Sequence, residues 1–322
     1  MQLPPLLRQA VDQELEGVTS KALGAAASVL SGRYRAEIRD GTLHVADHLS
    51  AQAYIATRLP GTYAALRTSL ASAARRLTAF APRSLLDVGA GPGTALWAAL
   101  SVWPDLSCVR LLEASAPMRA MGERLTAPSG VRDIRWIPAD IRGCDLSVFA
   151  ADVVTASYVL DELDPGERSD LVARLWSATR DLLVIVEPGT SSGWRRILEA
   201  RRQLTAAGAS ITAPCAHAQT CPVHAPDWCH FSARIARSRI HRLAKGAEAP
   251  WEDEAFAYLA VSRQPAGPAA ARVLGPPQRA SGRIRLRLCT SQGEADTRLV
   301  TRRDGDLFQE ARRADWGDLF GS

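Results

Sequence analysis

Two clusters in this chain have residue types and spacing that could do chemistry. The first is Asp87-Val-Gly89-Ala-Gly91-Pro-Gly93, an acid followed by glycines at alternate positions. A glycine-rich turn that leaves a strand and enters a helix lets backbone come close to a ligand and aims helix N–H groups at it. The spacing is not the dinucleotide fingerprint, whose third glycine stands three places beyond the second. The second cluster packs Cys215, His217, Cys221, His224, Cys229 and His230 into the seventeen residues 215–231. In a reducing compartment such clustering favours a metal over disulfides, and thiolates are the soft ligands that zinc and iron prefer at tetrahedral sites. The spacing C-x5-C-x7-C is neither a finger nor a ribbon. Three thiolates need a fourth ligand: His217, His224, His230 or a remote cysteine. Cys289, at the end of the strand-like Ile284–Cys289, is the remote candidate. Spacing leaves zinc and an iron–sulfur cluster equally open. Cys108 and Cys144 read as small buried apolar residues.

The elements needed to position the glycine turn are legible around it. Leu85, Leu86 and Val88 form a short apolar strand, and Ala95 to Leu100 are good helix formers. A second strand, Val109 to Leu112, ends at Glu113, one βα unit further on. An acid there can accept both ribose hydroxyls of a nucleoside. A third strand, Ile134 to Pro138, closes on Asp140 and Ile141. Asp140 suits an adenine amino group and Ile141 the ring face, although Asp140 would equally serve as a helix cap. Strands at Asp152–Ala156 and Leu182–Val186 and helices at Pro165–Thr179 and Trp194–Ala207 complete five βα units and a mainly parallel sheet. The turn Asp87–Gly93 resembles motif I of the S-adenosylmethionine (SAM) dependent methyltransferases of the Rossmann-like class.

Residues 1–80 read as helical, interrupted at Arg33-Tyr34-Arg35 and Arg58-Leu59-Pro60. Arg234, Arg237, Arg239 and Arg242 look like one helical stretch, and Phe256–Ser262 like a strand at the sheet edge. Residues 263–280 read as a connector. Arg283-Ile-Arg285-Leu-Arg287-Leu alternates with period two, which puts three arginines on one face of a strand that Thr297–Arg303 can pair with. The expected organisation is a helical cap over 1–80, a SAM-binding domain over 81–210 and 251–263, a cysteine-rich metal insert with a basic helix over 211–250, and a basic β-hairpin region over 264–322.

The 322 residues are 47% apolar, which is ordinary for a globular protein. No apolar run is long enough to span a membrane, and the acidic residues within 1–17 fit neither a secretory nor a transit peptide. These features point to a cytoplasmic protein without a membrane partner, expected to be a monomer. The net charge is +5, carried almost wholly by arginine. Residues 195–245 hold eight arginines and one lysine against Glu199 and Asp227, a concentration that suggests a nucleic-acid partner.

Arg58-Leu-Pro-Gly-Thr-Tyr63, the Leu85–Thr94 turn, the Cys215/Cys221/Cys229-His230-Phe231 stretch, Glu252-Asp253-Glu254, the Arg-Leu-Cys289 end and Arg302-Arg-Asp-Gly305 together carry a wider resemblance. Over essentially its whole length the chain resembles a bacterial member of the methyltransferase-like assembly factors of the mitochondrial small ribosomal subunit. The resemblance implies a class I methyltransferase fold, binding to small-subunit ribosomal RNA, and a [4Fe–4S] cluster on Cys215, Cys221, Cys229 and Cys289. Methyl transfer also needs an aligned acceptor and often a base. Tyr158, Asp161 and Glu162 lie where an acceptor would sit, but no spacing dictates a role and no catalytic residue is assigned. The expected function is a SAM-binding, iron–sulfur assembly factor. The alternatives are an active rRNA methyltransferase and, less favoured, a small-molecule or protein methyltransferase with structural zinc.

Overall fold

The computed structural model describes residues 1–37, 42–267 and 271–321. Four helices come first: α1 (Pro5–Glu14), α2 (Ser20–Arg35), α3 (His48–Thr57) and α4 (Leu59–Ala74). Leu7, Ala10 and Val11 of α1 and Leu23, Ala27 and Leu30 of α2 are the buried stripes that helical spacing requires. Asp47 caps α3 by accepting a hydrogen bond from Ser50 N at 2.7 Å. Arg58 alone separates α3 from α4, with Pro60 in the first turn of α4. The expected break at Arg58-Leu59-Pro60 is therefore present. Arg33-Tyr34-Arg35 does not interrupt anything; it forms the last turn of α2.

The alternating unit follows as β1 (Ser84–Val88), α5 (Thr94–Leu100), β2 (Cys108–Leu112), α6 (Ala116–Thr126), β3 (Asp133–Ile137), β4 (Ala151–Ser157), α7 (Pro165–Ala178), β5 (Thr179–Pro188), α8 (Ser191–Ala206), β6 (Ser210–Ala213), β7 (Phe231–Ala236), α9 (Arg239–Lys245) and β8 (Trp251–Ser262). The strands form one sheet in the order β3-β2-β1-β4-β5-β8-β6, with β7 also paired to β8. β1 to β5 run parallel and β8 runs antiparallel to β5, which is the class I methyltransferase arrangement. The strand order reverses between β1 and β4, opening a crevice at their carboxyl ends. Leu182, Leu183, Val184, Ile185 and Val186 are all fully buried because both faces of β5 carry helices.

Several expected details differ. The residues Phe256–Ser262 are not an edge strand, because β6 and β7 occupy the far side of β8. Arg234 does not share a helix with Arg239 and Arg242. It lies on β7, where Phe231, Ala233 and Ile235 alternate inward with period two, and only Arg239–Lys245 is helical. The connector reading of 263–280 holds at 263–267 and 274–277 and is replaced by short strands at 271–273 and 278–280, while 268–270 lie outside the described residues. β9 (Ala271–Val273) and β10 (Gln278–Ala280) join β11 (Arg283–Cys289), β12 (Ala295–Thr301) and β13 (Leu319–Phe320) in a five-stranded sheet. With α10 (Asp306–Arg313) this sheet encloses a core of its own, including Ile284, Leu286, Leu288, Val300 and Phe308. Cys108 and Cys144 are half-buried rather than fully inside. Among the described residues no helix is long and apolar enough to cross a membrane.

The seam between β5 and α8 depends on Gly193. A Cβ there would stand 2.1 Å from the carbonyl oxygen of Pro188. Helix propensity alone favours alanine by about 1 kcal/mol, but overpacking against fixed backbone costs about 1–3 kcal/mol. Gly193→Ala is therefore expected to lower the midpoint of thermal unfolding by several degrees, opposite in sign to the propensity argument.

Candidate nucleoside pocket and thiol site

At the carboxyl ends of β1 and β4 lies a cavity of about 420 Å³, within the ordinary range for a small-molecule site. Gly89, Gly91, Glu113, Asp140 and Ile141 line it. Gly89 and Gly91 have φ of 72° and 53°, left-handed backbone that glycine adopts without penalty. The turn is tied to β2: the N–H groups of Gly89 and Ala90 both donate to the Leu112 carbonyl at 2.9 Å. Glu113 accepts from Gly91 N at 2.9 Å and from Ser115 N at 2.8 Å. Those two bonds orient the carboxylate at the cavity wall and leave it further acceptor capacity. Asp140 accepts from Arg142 N at 2.9 Å, closing a turn at the rim.

Two sequence candidates sit behind the wall rather than on it. Asp87 is 1% exposed and its Oδ1 accepts from the Thr155 hydroxyl at 2.7 Å. Burial pushes its carboxyl up to about 7, the Thr155 bond opposing and the Glu113 charge adding. Gly93 precedes α5 with φ 79°, and a Cβ there would meet Thr126 Cγ2 at 2.6 Å. Its place reflects the packing of the turn on α6.

Other wall residues carried no role in the sequence analysis. Tyr54, Arg58 and Thr62 face the cavity from α3 and the start of α4, and Glu254 faces it from β8. Periodicity around 54–63 reads only as a helix core; the clues were the Arg58–Tyr63 and Glu252–Glu254 stretches, which carried the resemblance but no function. They meet at Gly61, where a Cβ would lie 2.6 Å from Glu254 Oε2. Tyr158 is held at φ 58°, a strained conformation for a non-glycine residue. Its amide donates to Val186 O at 2.8 Å and its hydroxyl donates to Glu254 Oε1 at 3.1 Å. Burial, with the Asp161 and Glu113 charges adding, pushes Glu162 up to about 8. Behind the wall Arg196 donates to Glu187 Oε2 at 2.6 Å, and Leu160 N donates to Glu187 Oε1 at 3.1 Å.

Cys215, Cys221 and Cys229 lie between β6 and β7, and Cys289 ends β11. The fold draws all four close enough to act on one another electrostatically. Burial first, then the Cys215, Cys221 and Cys289 thiols, pushes Cys229 well up. Burial and the Cys215 and Cys221 thiols push Cys289 up to about 12. Among the described residues no three His, Cys, Asp or Glu side chains stand in a ready metal-holding arrangement. His217 is buried with Nε2 3.3 Å from Cys289 Sγ, whereas His224 is exposed.

The surroundings of these thiols are cationic. Arg76 donates to Thr212 O at 2.8 Å and Cys215 O at 3.4 Å. Arg201 donates to His217 O at 3.0 Å and Gln219 O at 2.6 Å. Arg272 donates to Pro214 O at 2.7 Å, Gly317 O at 2.7 Å and the Ser72 hydroxyl at 3.2 Å. Arg201 and Arg272 are buried, and their Nε and Nη2 respectively have no hydrogen-bond partner among the described residues. None of the three is paired with a carboxylate among the described residues. Buried cations without a counter-charge are costly. Four thiolates around a cation carry net negative charge, so this donor set and its surroundings fit a thiolate-bound metal centre.

Part of the basic window over 195–245 is buried or paired. Arg196 and Arg201 are buried, Arg234 pairs with Asp253 at 2.7 Å, and Arg237 pairs with Glu252 at 3.2 Å. Arg195 and Arg202 of α8 and Arg239 of α9 are exposed, and a row of exposed arginines stands on the outer face of β11: Arg283, Arg285 and Arg287, the last 2.9 Å from Asp227.

Residues 48–321 match the family described as mitochondrial small ribosomal subunit Rsm22. The human mitochondrial ribosome assembly protein METTL17 is 29% identical over 83% of this chain and 61% of its own length. A mitochondrial Rsm22-cox11 tandem protein of Schizosaccharomyces pombe is 24% identical over 83% of this chain and 42% of its own. The chain thus spans about three fifths and two fifths of these relatives. Among solved structures, the magnesium protoporphyrin IX methyltransferase of Synechocystis with bound SAM is 15% identical, covering 73% of this chain and 91% of that one with a TM-score of 0.41.

Burial of Asp87 has a pH consequence. Its folded value of about 7 lies above the ordinary 3.8. Between those limits the folded chain holds a proton that the unfolded chain releases, so this group costs stability as pH rises from about 4 to 7. Asp87→Asn keeps an acceptor for Thr155 and removes the cost. Relative to wild type the variant is expected to gain on the order of 3 kcal/mol between pH 4 and pH 8, read by denaturant unfolding at both pH values.

Proposed function

Because the chain belongs to the Rsm22 family of the mitochondrial small ribosomal subunit, we propose that it is a SAM-binding assembly factor that engages small-subunit ribosomal RNA through a surface braced by a [4Fe–4S] cluster. The observation that carries this reading is the thiol site. Cys215, Cys221 and Cys229 of the β6–β7 loop and Cys289 of β11 are brought together, and Arg76, Arg201 and Arg272 lie around them with no carboxylate paired to any of the three among the described residues. The four cysteines would hold the cluster, whose contribution is a rigid anionic cross-link between the β6–β7 loop and the C-terminal sheet.

In the cavity, Glu113 would accept the ribose hydroxyls, Ile141 would cover the adenine, Asp140 would accept its amino group, and the Gly89–Gly91 backbone would admit the amino-acid portion. Methyl transfer is not part of the proposal. The hydroxyl of Tyr158, which follows β4 where an acceptor would lie, is engaged by Glu254. The RNA surface is assigned to the outer face of β11. Its arginines recur every two residues, about 7 Å along the strand, a spacing suited to successive phosphates.

Anaerobic purification with iron, sulfide and zinc analysis tests the centre. A brown protein with about four irons and four sulfides, colourless after Cys215→Ser, is expected. One zinc and no sulfide would reject the cluster in favour of a structural zinc site. For the RNA surface, Arg283→Ala with Arg285→Ala should weaken binding to a small-subunit rRNA fragment and reduce the dependence of log K on log salt by about one to two. An unchanged salt slope would move the interface elsewhere.

A further inference from the structure

The cavity and the thiol site share structural parts. Trp228, adjacent to Cys229, donates from Nε1 to the carbonyl of Gly189 at 2.8 Å, and Gly189 lines the cavity with Pro188 and Thr190. Gly189 is pressed against β8: its amide donates to Ala255 O at 3.0 Å, and a Cβ would stand 2.6 Å from the Ala255–Phe256 backbone. Trp228 also stacks on His230, with ring centres 5.4 Å apart, and His230 meets Trp316 of the C-terminal segment at 4.9 Å. A second connection runs through α4. Its first turn carries Thr62 to the cavity and seats Gly61 against Glu254. At its far end Ser72 accepts from Arg272, and Arg76, just beyond, holds the Cys215 carbonyl.

We propose that the cysteine loop forms an outer layer of the cavity wall, so that metal binding at the thiols and SAM binding in the cavity are coupled, with Trp228 as the positioning residue between them. This rests on the proposed function. Drawing the thiols onto a metal holds Cys229, and with it the indole that holds the Gly189 carbonyl. Without the metal the loop gains conformations in which that bond is absent, and SAM must bear the cost of ordering the wall. Coupling of this kind is reciprocal, so SAM also retards metal loss.

The experiment measures SAM affinity by calorimetry on the full chain, anaerobically, before and after metal removal, with folding monitored by circular dichroism. Wild type is expected to lose about 5–10-fold in affinity when the metal is removed, within the usual range for coupled sites. Trp228→Phe retains an aromatic ring but lacks the N–H. With its metal in place it is expected to bind SAM about 5–10-fold more weakly than wild type, and to change little on metal removal. Saturating SAM should slow metal release to a chelator in wild type and not in Trp228→Phe. Equal SAM affinities for metal-loaded wild type and Trp228→Phe, or metal release indifferent to SAM in wild type, would overturn the coupling and leave the proposed function standing. If metal-loaded wild type binds no SAM, the proposed function fails and the inference with it.

Discussion

The pairing of β8 is the constraint on which the rest depends. This one strand runs antiparallel to β5 along one edge and takes β6 and β7 in succession along the other. The chain between β6 and β7 must leave β8 and return to it, and that excursion carries Cys215, Cys221 and Cys229. The same strand delivers Glu254 and Ala255 to the cavity. Its residues Phe256 to Val261 are all buried, Phe256, Tyr258 and Ala260 in one core cluster and Ala257, Leu259 and Val261 in another, so a slip by one residue would put each set of side chains into the core packed for the other. Cavity and thiol site are therefore fixed relative to each other by a ladder of backbone hydrogen bonds.

Charge is distributed unevenly about this frame. Around the cavity, carboxylates gather: buried Asp87 and Glu187 and half-buried Glu162 are all shifted upward, first by loss of solvent. Around the thiols the excess is opposite, with guanidinium groups bonded to backbone carbonyls. Arg76 and Arg272 lie close enough that each opposes the other's charge. Such an arrangement costs stability on its own and is offset when each region holds its complement. A sulfonium nucleoside is cationic and a thiolate-bound centre is anionic, so both polarities agree with the proposed ligands.

The glycine turn and the acid one βα unit later were legible because local chemistry requires them: left-handed backbone at Gly89 and Gly91, and a strand end at Glu113. The parallel strands were legible from short apolar runs. The environment of β8 was not, because an apolar strand reads the same whether its outer edge is bare or paired. Arginine density over 195–245 overstated the free charge of that stretch for a related reason. Sequence counts charges, and it cannot show that Arg234 and Arg237 face Asp253 and Glu252 across β7 and β8 while Arg201 turns inward to carbonyls.

By itself the sequence determined the class of sheet, the glycine turn with its acidic partners, and the presence of clustered thiols, since each follows from residue type and near-neighbour spacing. Only the tertiary structure decided that Cys289 approaches the other three from a separate sheet and that Arg58, Thr62 and Glu254 complete the cavity wall. It alone decided that Trp228 ties the thiol loop to that wall. These are contacts between residues far apart in the chain, set by strand pairing and helix packing, which no local pattern encodes.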